Sequence, residues 1–122
     1  MTEYLITIPG DEAVWDARTD DDRRGVGEAH LNFVAGLTAR GHRVNAGGEL
    51  TPLAQAKVVR RTDRGTLVTD GPHAESAEQV GGFYLVESDD LDDLLAVVGE
   101  LVRIEPVVEV RPIYGRTSGV PS

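Results

Sequence analysis

Four ionisable side chains lie close together in the segment VTDGPHAESAEQVGGFYLVE, which covers residues 68–87. They are Asp70, His73, Glu75 and Glu78. Histidine and carboxylate side chains can transfer protons near neutral pH, and a carboxylate can hold an imidazole in one tautomer. The run Asp70-Gly71-Pro72 is also ordinary turn chemistry, because aspartate caps the backbone, glycine permits positive φ and proline fixes the next bend. The residues alone leave two interpretations open, a polar connection between strands and a site.

Alternating and β-branched runs predict the strands around this segment. The predicted strands cover residues 3–8, 42–50, 82–87 and 107–113, and a turn at 63–65 joins strands 56–61 and 66–69 into a hairpin. Gly47-Gly48 interrupt the second strand and permit a bulge or a close approach to the backbone. After a polar loop that carries Trp15, Thr19 begins a first helix that ends at Gly41. Ser88 is the expected N-cap of a second helix, whose apolar positions recur every three or four residues.

The order of these elements is strand, helix, strand, inserted hairpin, strand, helix, strand. It predicts an α+β domain of the ferredoxin-like split βαβ class, with two helices on one face of an antiparallel sheet. We expect one domain over residues 1–115 and a flexible or crossing tail over residues 116–122, which are rich in Gly, Pro and Ser. Small domains of this type usually bury the uncovered apolar sheet face in a partner, so we expect a homodimer.

Composition argues against several classes of protein. The chain has 122 residues, a formal net charge of -9 and no cysteine. Its negative charge disfavours a nucleic-acid partner. Its N-terminus lacks the features of a signal peptide and no apolar run approaches the roughly 20 residues of a membrane span, so we expect a cytoplasmic protein without membrane contact. The three histidines are widely spaced and the aspartate clusters precede helices, so no metal site is expected.

The segment from residue 68 to residue 87 resembles the signature of the DGPF-domain proteins, a branch of the YCII-related family. In that signature Asp-Gly-Pro-Phe-Ala-Glu leads through Glu-Gln and a Gly-Gly pair into a strand. Comparable elements elsewhere are Glu3-Tyr4-Leu5-Ile6, Ala29-His30, Gly47-Gly48-Glu49-Leu50 and Val108-Glu109-Val110-Arg111-Pro112. The resemblance covers nearly the whole chain. It implies a ferredoxin-like fold in which two sheets pack into a dimeric α/β barrel.

The resemblance also implies a site in a cleft beside the sheet, with His30 and Asp70 as its catalytic residues. His30 lies on the apolar stripe of the first helix, where a lone histidine is ordinarily a core residue. With Asp70 as its carboxylate partner, it would act as a general base or acid. The family's usual phenylalanine after the proline is His73 here, which either adds a titrating group or replaces an apolar ring with a polar one.

Four further residues are candidates for binding a small-molecule ligand, namely His73, Arg111, Tyr4 and Trp15. Arg111 shares a strand face with Glu109, so it either binds an anionic substrate or pairs with that carboxylate. Tyr4 and Trp15 either form apolar walls around a ligand or belong to the core or to a dimer contact.

Two functions from different classes follow. The first is a cofactor-independent enzyme of the proton-transfer, lyase or isomerase type that acts on a small molecule through His30 and Asp70. The second is a non-catalytic dimeric module that binds a ligand or a regulatory protein, because the resemblance implies that some family members are associated with alternative sigma factors.

Gly81-Gly82 lacks the third glycine and following helix of a nucleotide-binding loop, so no cofactor is expected. Tight packing at a strand entrance is the other interpretation of this pair.

Overall fold

The computed structural model describes residues 1–71, 80–117 and 120–121 of the chain. Its strands are β1 (Thr2–Pro9), β2 (Arg43–Glu49), β3 (Lys57–Thr62), β4 (Gly65–Asp70), β5 (Val80–Ser88), β6 (Glu109–Pro112), β7 (Arg116–Thr117) and β8 (Val120–Pro121). Its helices are α1 (Glu12–Asp16), α2 (Asp20–Ala39) and α3 (Leu91–Leu101), with a single 3-10 turn at Leu53–Gln55.

Four strands form one antiparallel sheet in the order β2-β5-β1-β6. The central pair is β1 with β5, in a register that places Thr2 opposite Ser88 and Ile6 opposite Tyr84. Counted along the chain among these four, the first strand lies between the third and the fourth, and the second lies at the edge beside the third. This is the ferredoxin-like order, and it confirms the predicted fold class.

The core lies between one face of this sheet and the helices α2 and α3. Alternate residues of β1 are buried in it. The largest fully buried side chains are Ile6, Leu37, Leu94, Leu101 and Val86. Full burial of one such side chain stabilises the fold by about 1.5–3 kcal/mol relative to leaving it exposed. This packing fixes α2 and α3 against the sheet.

The opposite face of the sheet carries the alternate residues of each strand. Its six central positions, which we call the open face, are half-buried and comprise Glu3, Leu5, Thr7, Phe83, Leu85 and Glu87. At the β6 side of this face, Arg111 lies opposite Leu5 and Glu109 lies opposite Thr7. The open face therefore has an apolar centre with charged side chains of both signs around it.

The start of α2 agrees with its prediction, whereas the start of α3 differs. Thr19 and Asp22 form a capping box, in which Thr19 Oγ1 accepts from the Asp22 backbone N–H at 3.1 Å. The expected Ser88 cap is wrong, because Asp90 caps α3 and its Oδ1 accepts from the Asp93 backbone N–H at 3.0 Å. Ser88 is the last residue of β5 and is buried.

Two short pieces of structure lie where the sequence predicts loops. The polar loop around Trp15 contains the five-residue helix α1, which Asp11 caps through its side chain. A helix this short has too few turns to show an apolar period, so pattern analysis misses it. In the segment predicted as a tail, β7 and β8 pair through two residues each.

The predicted hairpin is confirmed, and it forms a separate two-stranded sheet. Its six cross-strand pairs run from Lys57 opposite Asp70 to Thr62 opposite Gly65. At its base the Gly71 backbone N–H donates to the Ala56 carbonyl at 2.8 Å. Every strand residue of this hairpin is exposed except Val58. We refer to residues 57–70 as the hairpin.

Candidate functional site

His30 joins two side chains that lie far from it in the sequence. Its Nδ1 is 2.7 Å from the Tyr84 hydroxyl oxygen, and its Nε2 is 3.1 Å from Glu105 Oε1. The imidazole and phenol rings are stacked, with centroids 6.0 Å apart and planes at 24°. A hydroxyl, an imidazole and a carboxylate joined in this order can orient a histidine for proton transfer. We call these three residues the His30 triad.

The donors and acceptors of the triad assign its tautomer. A Glu105 carboxylate only accepts, so Nε2–H of His30 donates to it. Nδ1 then has a lone pair, which accepts a hydrogen bond from the Tyr84 hydroxyl. Burial raises the pKa of the Tyr84 phenol, and the negative charge of Glu105 adds to that rise. Tyr84 therefore stays protonated, and remains a hydrogen-bond donor, throughout the neutral pH range.

Three elements position the triad. His30 lies in the middle of α2 and Tyr84 in the middle of β5. After α3 ends, the backbone N–H groups of Ile104 and Glu105 both donate to the Leu101 carbonyl at 3.0 Å. This tight turn stops the helix and places Glu105 beside the imidazole. The site thus depends on a helix, a strand and a turn that the core already holds in place.

The Tyr84 ring is fixed by a neighbour on α2 and by a glycine on β2. Phe33 meets the ring edge-on, with centroids 5.2 Å apart and planes at 62°. Gly47 lies opposite Tyr84 across the strand pair. A Cβ at Gly47 would lie 2.7 Å from Tyr84 Cδ1, which is closer than real Cβ contacts. The sequence predicts that Gly47-Gly48 permit a bulge or a close approach to the backbone. In the structure the Tyr84 ring makes that close approach, at Gly47.

A second histidine, His42, forms a network just after the C-terminal end of α2. His42 Nδ1 is 2.8 Å from Ser88 Oγ, and His42 Nε2 is 2.7 Å from Asp93 Oδ2. Arg40 Nε donates to both carboxylate oxygens of Asp93 at 3.0 Å. Ser88 Oγ also accepts from the Asp90 backbone N–H at 3.0 Å. We call Arg40, His42, Ser88 and Asp93 the His42 network.

Burial separates the roles of the two histidines. The side chain of His30 is 23% exposed and that of Glu105 is 14% exposed, so the triad is partly open to solvent. The His42 side chain is 4% exposed and Ser88 is 2% exposed, and both already have hydrogen-bond partners. Hydrogen bonds from Arg40 and His42 lower the pKa of Asp93 from 3.8 to about 2. The His42 network therefore connects the end of α2, the start of β2, the end of β5 and the first turn of α3.

The structure does not bring His30 and Asp70 together. Asp70 is the last residue of β4, its side chain is 77% exposed, and it forms an ion pair with Lys57. Both ring nitrogens of His30 have other partners. The catalytic role of Asp70 stays a prediction, and in the described chain Glu105 is the carboxylate that contacts the imidazole.

The residues predicted to bind a ligand lie in different places. Tyr4 is 8% exposed and belongs to the core, which is one of the alternatives for it. Trp15 lies on α1, where the guanidinium carbons of Arg18 and Arg23 lie 5.8 Å and 5.3 Å from the ring centroid. Arg111 is exposed at the β6 side of the open face. Binding roles for these residues stay predictions.

Some predicted features fall outside the described residues, and one glycine pair falls inside. His73, Glu75 and Glu78 lie in the part of the chain that is not described. Gly81 packs against Gly10, where a Cβ on either residue would lie 2.7 Å from the Cα of the other. Gly82 lies under the Gly48 carbonyl, with a corresponding distance of 3.2 Å. The Gly81-Gly82 pair thus provides tight packing at a strand entrance.

The described residues also form a surface groove next to the triad. It lies between α2 and α3, has a volume of about 530 Å³ and includes Phe33, Leu101 and Ile104 in its lining. Phe33 also contacts the Tyr84 ring, so the groove and the triad share one wall. Within residues 1–71, 80–117 and 120–121, no three His, Asp or Glu side chains are grouped to hold a metal ion. None of the helices described there has the length and apolar character needed to cross a membrane.

The sequence is similar to known proteins over most of its length. A family model of the YCII-related domain matches residues 2–115. The chain is also similar to an uncharacterized protein of Rhizobium meliloti (strain 1021), with 31% identity over 114 residues that make up 90% of each chain. The match begins in β1 and extends past β6, so it includes the whole four-stranded sheet and both long helices.

Proposed function

Because this chain belongs to the YCII-related domain family, we propose that the partly exposed His30 triad makes it a cofactor-independent enzyme that moves a proton on a small molecule. The observation that supports this proposal is the bridge that His30 forms between the Tyr84 phenol and the Glu105 carboxylate. This bridge holds one ring nitrogen protonated and leaves the other as a proton acceptor.

In the proposed reaction His30 acts first as a general base. The substrate gives a proton to Nδ1, and the Tyr84 hydroxyl turns from Nδ1 to donate a hydrogen bond to an oxygen of the substrate. The imidazolium that forms is stabilised by the adjacent Glu105 carboxylate. The proton then returns to a different atom of the substrate, which is an isomerisation, or to a leaving group, which is an elimination.

The degree of burial supports His30 over His42 for this role. An imidazole that is 23% exposed can meet a small molecule while much of its surroundings excludes water. In such surroundings the charge of Glu105 acts on the imidazolium more strongly than it would in bulk water. The His42 side chain is only 4% exposed, so a substrate would have to open the fold to reach it.

The carboxylate partner of His30 is the point at which the resemblance and the geometry differ. The resemblance implies Asp70, whereas the contacts support Glu105. We propose Glu105, and a pair of isosteric variants separates the two assignments. Glu105→Gln and Asp70→Asn each remove one negative charge and keep the shape of the side chain.

The first prediction is that the protein catalyses deuterium uptake by a small compound with an acidic C–H bond. A panel of oxo acids, lactones and enolisable carbonyl compounds would be incubated with the protein in D2O and followed by NMR. His30→Gln should lower the exchange rate by about 10²–10⁴-fold, because it removes the acid–base group. Glu105→Gln should lower the rate by about tenfold or more, and Asp70→Asn should stay within about twofold of the parent.

Circular dichroism would establish that each variant is folded before its rate is interpreted. A low rate for Asp70→Asn together with the parent rate for Glu105→Gln would return the partner role to Asp70. A folded His30→Gln variant that exchanges deuterium as fast as the parent would reject the proposed function.

We also propose that two copies associate through their open faces, as the dimeric α/β barrel implied by the resemblance. Support comes from the apolar centre of that face, where Leu5, Phe83 and Leu85 are only half-buried. Burial of apolar side chains drives most protein association. Arg111, at the edge of this face, would then lie near the partner or a ligand held between the two copies.

A further inference from the structure

The hairpin exposes an apolar pair that the rest of the described chain leaves uncovered. Val59 and Val68 lie directly opposite each other on β3 and β4. They are 65% and 60% exposed. A two-stranded hairpin is marginally stable by itself in water, since it lacks a layer against which to bury such residues. This pair therefore marks a surface that a partner would cover.

The hairpin also differs in charge from the rest of the chain. Residues 57–70 contain four of the twelve basic residues, including the single lysine, and two of the 21 acidic residues. The hairpin has a net charge of +2 within a chain of -9, which leaves -11 for the remainder. A basic segment on an acidic chain is complementary to the surface of another copy of the same chain.

Strand alternation places the apolar pair and two basic residues on one face. Lys57, Val59 and Arg61 share that face of β3, and their cross-strand neighbours Asp70, Val68 and Thr66 share it on β4. Lys57 pairs with Asp70 at the base of the hairpin. Arg61, near the tip, lies opposite an uncharged threonine. The face thus offers an apolar centre with a cation at its far end.

The open face has the opposite pattern. Its apolar centre includes Leu5 and Leu85, and its Glu3 and Glu87 carboxylates lie at one end. Asn45 Nδ2 donates to Glu3 Oε2 and to Glu87 Oε1, both at 2.9 Å, and so holds the two carboxylates close together. Arg43 lies opposite Glu87 on β2, so this end of the face has two carboxylates and one cation. The remaining negative charge beside an apolar surface suits a partner that presents valines and an arginine.

We infer that the hairpin of each copy docks against the edge of the open face of a second copy, with Val59 and Val68 on apolar surface and Arg61 near the Glu3–Glu87 pair. The inference rests on the proposed homodimer, and it assigns the segment that clasps the partner. A nucleic acid is a poorer occupant, because two valines lie at the centre of the hairpin face and the chain as a whole is acidic.

The test measures the dimer dissociation constant of the full chain by sedimentation. Arg61→Glu should raise it by about tenfold or more, as should Val59→Thr/Val68→Thr, which keeps β-branched residues on both strands. Arg24→Glu is the matched control, since it makes the same change in net charge at a side chain that is 69% exposed. The control should stay within about threefold of the parent. Circular dichroism would show that every variant is folded.

A third variant separates this inference from the proposed dimer. Leu85→Glu places a charge at the centre of the open face and should give folded monomers. If Leu85→Glu dissociates the dimer while both hairpin variants match the control, the inference is overturned and the dimer stands. If the parent is a monomer at every concentration, both are overturned. If the parent retards a DNA duplex and Arg61→Glu abolishes that retardation without changing dimerisation, the hairpin binds nucleic acid instead and the inference is overturned.

Discussion

At the scale of single residues, the position of the Tyr84 hydroxyl depends on the absence of a Cβ atom at Gly47. A Cβ at Gly47 would lie 2.7 Å from Tyr84 Cδ1 and 3.2 Å from the Phe83 carbonyl oxygen. One of these contacts is with backbone, which cannot rotate away. The ring would therefore have to move, and with it the hydrogen bond that holds His30.

Gly47→Ala should consequently destabilise the protein. Overpacking of this kind costs about 1–3 kcal/mol, and we expect a loss of that size in the free energy of unfolding measured with urea. Gly48→Ala is the matched control, because a Cβ there would meet Phe83 Cε1 at 3.5 Å, an ordinary contact. Equal stabilities of the two variants would show that the Tyr84 ring adapts and that Gly47 does not position it.

The triad was only partly predictable from the sequence for reasons that these residues illustrate. His30 is identifiable because it is a histidine on an apolar helix stripe within a segment that resembles a known family. Tyr84 has the alternation of any strand residue, so nothing distinguishes it before the strands are paired. Glu105 follows α3 in an irregular turn, where no period relates it to His30. Contacts across 54 and 75 residues depend on the packed fold.

At the scale of elements, the His42 network connects the end of α2 to the start of α3. Asp93 lies in the first turn of α3, where it receives hydrogen bonds from Arg40 and His42. These bonds stabilise the ionised carboxylate and lower the pKa of Asp93 to about 2. The pKa of an unperturbed aspartate, which applies to an unfolded chain, is about 3.9. Between these two values the unfolded state binds more protons than the folded state.

The contribution of Asp93 to stability is therefore fully present above about pH 4 and is lost as the pH falls towards about 2. Asp93→Asn should be less stable than the parent at neutral pH, and the difference should shrink on acidification. Urea unfolding at a series of pH values measures this dependence. Asp92→Asn, in the same helix turn and with the same change in charge, is the control for the helix dipole. A gap that stays constant from neutral to acid pH would contradict the assignment.

Elements with a long, regular pattern were predictable, and short or irregular ones were not. Alternation identifies β1 and β5, and the recurrence of apolar residues identifies α3. The cap of α3 illustrates the limit. Ser88 and Asp90 both have side chains suited to an N-cap, and Asp90 takes the position because the β5 ladder continues through Ser88. The competition between a sheet and a helix for one residue is decided by strand pairing.

At the scale of the whole molecule, the order of elements was enough to predict a ferredoxin-like sheet with helices on one face. The same order leaves the other sheet face and the hairpin without a layer of their own. A four-stranded sheet with a packed core on one side is stable, whereas we expect a hairpin exposed on both faces to exchange its amide hydrogens faster. Association with a second copy would therefore slow amide exchange in the hairpin more than in the four-stranded sheet.

Hydrogen exchange can detect that difference in the intact parent protein. At protein concentrations below the dimer dissociation constant, the cross-strand amides of β3 and β4 should exchange at least about tenfold faster than at concentrations above it. The reason is that dissociation uncovers the hairpin. The amides that pair β1 with β5 should change much less, since the core on the helix side remains in place. Leu85→Glu, as a constitutive monomer, should show the fast hairpin exchange at every concentration. Hairpin amides that exchange equally fast above and below the dissociation constant would mean that a second copy does not cover them.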